Sequence, residues 1–222
     1  MTGDGGESPS ASADERRGRG PGRLKAAVEG ELGRRLVHAS GAAIPLTYYV
    51  LTVGIAVDES VAWQVLQAIT VLGVLAAAVL EFVRLRIGLD WWIFEHLTRA
   101  YEREKVAGYA LYLVGMATVA LLFEPAIALT GMFLLAIGDP LSGYLATDSP
   151  GLKGPRAVVP ALLVGTGIGI VVGLHPAVAA AAAVGLVVAD VRLWSIGGYV
   201  IDDNLTIPIA AGVAAWLVSL AL

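Results

Sequence analysis

The chain is divided into apolar runs close to the length of a helix that crosses a bilayer, and this division limits its fold more than any single residue does. A hydrocarbon core about 30 Å thick takes roughly 20 residues of helix. Runs at 36–56, 61–83, 107–123, 126–147, 157–174, 177–194 and 205–222 approach that length. In lipid every backbone N–H and C=O must find its partner within the protein, which leaves helices or a closed barrel. Unbroken apolar runs, rather than alternating ones, select helices. Of the 222 residues, 57% are hydrophobic and 15% charged, against about half and a quarter in a soluble domain. The expected fold is all-α: a polytopic transmembrane helix bundle of about seven spans.

Punctuation between the runs supports this reading. Asp58-Glu59, Glu124-Pro125, Gly151-Leu152-Lys153-Gly154-Pro155, His175-Pro176 and Asp202-Asp203-Asn204 interrupt them. Pro removes a helix donor and Gly adds backbone freedom. Residues 1–30 are rich in Gly, Ser and charge without apolar periodicity, and are expected to form a disordered tail ahead of one membrane domain, 31–222. No short apolar core follows the early arginines, so no cleaved signal is expected.

The 15 Lys and Arg residues are distributed unevenly. Arg16, Arg17, Arg19, Arg23, Lys25, Arg34 and Arg35 precede or open the first run, and Arg84, Arg86, Arg99, Arg103 and Lys105 lie in the second connection. Lys153 and Arg156 lie in the fourth connection and Arg192 in the sixth. The alternate connections carry Asp58, Glu59, Glu124 and His175 and no Lys or Arg. The positive-inside rule then predicts a cell-membrane protein with a cytoplasmic N-terminus and an outside C-terminus. The absence of Cys excludes disulfides and thiolate chemistry, and the net charge of −4 argues against a nucleic-acid partner.

Ionisable groups near membrane depth cost a few kcal/mol each, so each needs a reason. Five groups collect at the basic ends of the runs. Glu31, Arg35 and His38 share one helical face, with Arg34 four before His38; the arginines also suit plain interfacial anchoring. Glu81 and Arg84 close the second run and lead into Asp90-Trp91-Trp92-Ile93-Phe94-Glu95-His96, which reads as an interfacial amphipathic helix. Gly138-Asp139-Pro140 suggests a helix broken inside an apolar stretch, with an N-terminus able to hold phosphate and a carboxylate suited to Mg²⁺; an N-cap role for Asp139 competes. Asp190 lies deeper than Arg192 at the end of the sixth run. Adjacent Asp202 and Asp203 repel unless a cation or hydrogen bonds compensate, and Asp203 or Asn204 can also cap the last helix. This gathering suits a metal-bound, phosphate-bearing reactant meeting a membrane-embedded one.

At these residues the chain resembles the dolichol kinase, phytol kinase and CTP-dependent diacylglycerol kinase family. The resemblance covers residues 31–210 in order: Glu31 to His38 as a Glu-x-x-Arg-Arg-x-x-His opening, Glu81 with Arg84, then Arg99, Glu102 and Glu104 before Gly108-Tyr109. Gly138-Asp139 and Asp203-Asn204-Leu205-Thr206-Ile207-Pro208 complete it. Relatives carry a longer Gly-Lys-Ser-type connection where this chain has Gly151-Leu152-Lys153-Gly154-Pro155-Arg156, and Glu where it has Asp190. The resemblance implies a CTP-dependent polyprenol kinase with Mg²⁺. Asp139 and Asp203 would organise metal and phosphate, Asn204 would be a further ligand, and Gly138, Arg35, His38 and Lys153 would contact phosphate. Asp190 would be the base for the lipid hydroxyl. A CTP:lipid-phosphate cytidylyltransferase and a non-enzymatic transporter or scaffold are the alternatives. The substrate alcohol, the nucleotide and the oligomeric state stay open.

Overall fold

The computed structural model describes residue 33 and residues 36–88, 105–146, 152–191, 194–196 and 199–222. Glu31, Arg34, Arg35, the 1–30 tail, the amphipathic stretch with Arg99, Glu102 and Glu104, and Arg192 lie outside the described residues. All seven apolar runs are helical. They form α1 (Leu36–Gly54), α2 (Glu59–Ile87), α3 (Gly108–Leu122), α4 (Pro125–Leu145), α5 (Pro155–Val172), α6 (Pro176–Asp190) and α7 (Asp203–Ser219). By length and composition α1, α2, α4 and α5 can cross a membrane. The other three are apolar but shorter, and the 15 residues of α3 or α6 reach about 22 Å. Glu124-Pro125 closes α3, and α6 ends at Asp190 rather than at residue 194.

Helix starts follow local chemistry. Asp58 caps α2 by accepting the Ser60 amide at 2.9 Å, and the Ser60 hydroxyl and amide hold its carboxyl below the usual range. Pro125, Pro155 and Pro176 stand in the first turns of α4, α5 and α6, where a missing N–H costs nothing. The expected cap of α7 is corrected: Asp202, not Asp203 or Asn204, accepts the Asn204 amide at 2.9 Å.

The described residues are all-α in class, as expected, and one short two-stranded antiparallel ribbon joins α6 to α7. Strand β1 (Trp194–Ile196) pairs with β2 (Tyr199–Ile201), Trp194 opposite Ile201. Its aromatic and β-branched residues favour strand, and Gly197-Gly198 is a two-residue hairpin sequence. Antiparallel pairing returns the chain to where it left α6, so Asp203 re-enters the bundle near Asp190.

Burial separates inner from outer helices. In its most apolar stretch α4 is 67% buried, against 6% for α1 and 22% for α2 and α5. The core includes Leu66, Met116, Met132, Leu134, Leu135, Leu186 and Ile207. Lipid tails are as apolar as these side chains, so helix association rests on close packing and small residues. A Cβ added at Gly185 of α6 would lie 2.5 Å from the Ala210 carbonyl oxygen of α7. Gly185→Val is therefore expected to cost about 1–3 kcal/mol by overpacking. Gly167→Ala meets nothing within 4 Å and should not destabilise, the gain in helix propensity being at most about 1 kcal/mol. Thermal unfolding of the two variants in detergent checks this contrast.

Away from the basic ends, α1, α2, α4 and α5 border an open groove of about 1120 Å³, lined in part by Tyr48, Tyr49, Thr52, Glu59, Glu124 and Leu129. Fifteen residues of helix separate Glu124 from Asp139, about 22 Å. The groove is a feature of the opposite end of the bundle.

Candidate functional site

The site is organised by an irregularity in α4. Residues Leu134–Gly138 form a π-turn, in which the Asp139 N–H donates to the Leu134 carbonyl. The next donor in that series would be Pro140, which has none. The Leu135 carbonyl is thereby released from the helix ladder, and His38 Nε2 of α1 lies 2.9 Å from it. A carbonyl accepts, so this nitrogen carries the proton. The same nitrogen lies 3.5 Å from Asp139 Oδ2. The Tyr112 hydroxyl donates to the His38 carbonyl at 3.2 Å, and its ring meets the imidazole edge-on at 4.7 Å. Thus α1, otherwise the least buried of the longer helices, is bonded to the core at this point. His38→Ala should cost about 1–3 kcal/mol, because it leaves a buried carbonyl without a partner. Thermal unfolding in detergent checks this cost.

The expectation of a broken helix here is corrected. The chain stays helical through Asp139, whose N–H is already bonded, so no open helix N-terminus is available for phosphate. The residue at the N-cap position of the segment that Asp139 begins is Gly138, in helical conformation, so Asp139 is inside the helix and not its cap. Gly138 is buried, and a Cβ there would come 2.7 Å from Leu186 Cδ2. This glycine lets α4 approach α6 and does not form an open cradle.

Asp190 closes α6 and Asp203 opens α7. With Asp139 they bring one carboxylate oxygen each to within 4.8 Å of one another. If all are ionised, each pair repels by on the order of 3 kcal/mol at an effective dielectric near 20. Compensation comes from Lys153, whose Nζ lies 2.5 Å from Asp190 Oδ1 and 3.3 Å from Ser142 Oγ. The Lys153 amide donates to the Val191 carbonyl at 3.0 Å, which fixes its backbone beside the end of α6. Asn204 Oδ1 is buried and finds no hydrogen-bond partner among the described residues. Oxygen donors of this kind suit a hard divalent cation.

The seven described residues named from sequence thus divide by role. Asp139, Asp190 and Asp203 come together; His38 and Lys153 each bond to one of them, and Gly138 serves packing. Asn204 follows Asp203 at the start of α7. Arg35 lies outside the described residues. Sequence reasoning missed Ser142, although three residues after Asp139 puts it on the same helical face. It also missed Tyr112, which no local pattern distinguishes.

Glu81 and Arg84 form a second polar cluster. Arg84 grips Glu81 with Nε at 3.0 Å and a terminal nitrogen at 2.6 Å. Glu81 also accepts the Ala107 amide at 3.1 Å and the Tyr109 hydroxyl at 2.6 Å, while Arg84 donates to the Lys105 carbonyl at 2.5 Å. This network joins the end of α2 to the start of α3. Compared with known proteins, the chain matches no family model, no curated protein and no solved structure.

Proposed function

We propose that this membrane protein is a lipid-alcohol kinase, transferring the γ-phosphoryl group of CTP or another nucleoside triphosphate to a polyprenol-type alcohol. The observation that carries the reading is the meeting of Asp139, Asp190 and Asp203 beside Lys153 at one end of an apolar bundle. Phosphoryl transfer asks a protein for positioning and charge neutralisation more than for covalent chemistry. Three carboxylates and the unpartnered Asn204 Oδ1 fit Mg²⁺, with Asp139 and Asp203 as holders and Asn204 as a further ligand. The cation supplies neutralisation of phosphate oxygens.

The remaining roles belong to the chain itself. The alcohol oxygen bonds to the γ-phosphorus as the bond to the β-phosphate oxygen breaks, releasing the nucleoside diphosphate. The alcohol proton passes to a carboxylate, for which Asp190 is the candidate. Lys153 and Arg35 are assigned to phosphate. The proton on His38 Nε2 suits holding Asp139 and the Leu135 carbonyl, not accepting a proton there. CTP and the polyprenol class come from the family resemblance.

Orientation belongs to the same proposal. The Lys and Arg distribution supports seven crossings with the carboxylate end facing the cytoplasm, where nucleotide is found. The shorter α3, α6 and α7 would then be lined by protein for much of their length, so their ends need not reach both headgroup layers.

The test is a transfer assay on purified protein with Mg²⁺ and γ-labelled CTP or ATP, offering dolichol, geranylgeraniol, phytol and diacylglycerol in parallel. Label on one lipid with release of nucleoside diphosphate is the expected result. Pyrophosphate release would instead identify a cytidylyltransferase, and no turnover by folded protein would remove the enzyme reading.

A further inference from the structure

Lys153 holds a position that phosphate contact alone does not explain: its ammonium is paired with Asp190, one of the three clustered carboxylates. Its nitrogen lies 2.5 Å from Asp190 Oδ1 and 3.3 Å from Ser142 Oγ. The Asp190 side chain is 3% exposed and that of Lys153 is 21% exposed. The acid is therefore buried while the base keeps partial access to solvent. Its backbone is pinned by the bond to the Val191 carbonyl, just before Gly154 and the first turn of α5. A flexible four-carbon stem on a fixed backbone can exchange partners without moving a helix. Ser142 and Asp139 both belong to α4, so the ammonium neutralises charge at the junction of α4 and α6.

We propose that Lys153 is the built-in counter-ion of this cluster and competes with a divalent cation for it: cation entry displaces the ammonium from Asp190 and turns it toward the incoming phosphate. The inference rests on the metal reading given above and extends it to order of events. Cation binding both releases Lys153 for the nucleotide and frees Asp190 to accept a proton. Without a cation the ammonium holds the cluster together, so the protein stays folded between turnovers. Asp203, with no Lys or Arg bonded to it among the described contacts, is the carboxylate the cation meets without that exchange.

The test is Mn²⁺ binding to full-length protein in detergent or nanodiscs, with neither nucleotide nor lipid substrate, read by electron paramagnetic resonance or calorimetry. Lys153→Met is expected to bind Mn²⁺ about tenfold tighter or more, the scale on which one neighbouring charge acts on a carboxylate. Ser142→Ala loosens the ammonium without uncovering the aspartates, and should tighten binding by a smaller factor, about threefold by the same reasoning. It keeps the test decisive if Lys153→Met does not fold. Wild-type binding with no gain in either variant would overturn the competition and leave the metal reading standing. No Mn²⁺ binding by any of the three proteins would remove the metal reading, and this inference with it.

Discussion

Asp203→Asn is expected to lower phosphoryl transfer by about 10³-fold, the scale on which a single preorganised electrostatic group acts in a transition state. The same substitution should leave the folded protein as stable as before, or more so. Asp203 does not cap its helix, a task that falls to Asp202. Its carboxylate lies within 4.8 Å of two others, so removing its charge relieves repulsion. Activity lost while stability is kept or gained is the mark of a group held for chemistry at a cost to folding. Transfer assays beside thermal unfolding in detergent decide the matter. Turnover within about tenfold of wild type would count against the phosphoryl-transfer assignment of this cluster. Asp139→Asn should behave alike in turnover but gain less stability, because it also takes the charge from the contact with His38 Nε2 at 3.5 Å.

The second large effect is structural. Glu81→Ala should destabilise the protein by about 3–5 kcal/mol, the cost of leaving a buried charge without its partner. Glu81 and Arg84 are each 8% exposed, so solvent does little to screen them. The loss goes beyond one ion pair, since the Ala107 amide and the Tyr109 hydroxyl lose their acceptor as well. Tyr109→Phe removes one bond and should cost only about 1 kcal/mol. Unfolding midpoints for the two variants, measured in the same detergent, should be separated accordingly. Equal midpoints would show that the network does not act as a unit.

The helices were legible in sequence because apolar length is a local property, and all seven runs became helices. Their ends were less so. The last run before the ribbon extends to residue 194 in the sequence reading, since Val191, Leu193 and Trp194 are apolar and hide the strand that Trp194 begins. Asp139, Asp190 and Asp203 stood out for one shared reason: each interrupts an apolar context, which is costly without a purpose. That they meet depends on how α4, α6 and α7 cross, and no residue spacing encodes that. The partner of Glu81 was identified in part. Arg84 lies one helical turn away, but the Ala107 amide and Tyr109 come from beyond a long connection. The π-turn was misread as a break because Gly-Asp-Pro signals a lost donor without saying what replaces it.

That replacement links two distant positions in the history of the chain. Pro140 deprives the Leu135 carbonyl of a donor, and His38, 97 positions upstream of that carbonyl, supplies one. The two residues are thus epistatic. Pro140→Ala would restore a backbone N–H and make the imidazole dispensable to the helix, so His38→Ala should cost less on that background than on the present one. Order then matters to any lineage drifting away from this site: the proline can go first, but a histidine lost first is a defect. In the double-mutant cycle this dependence takes the form of a favourable coupling between positions 38 and 140.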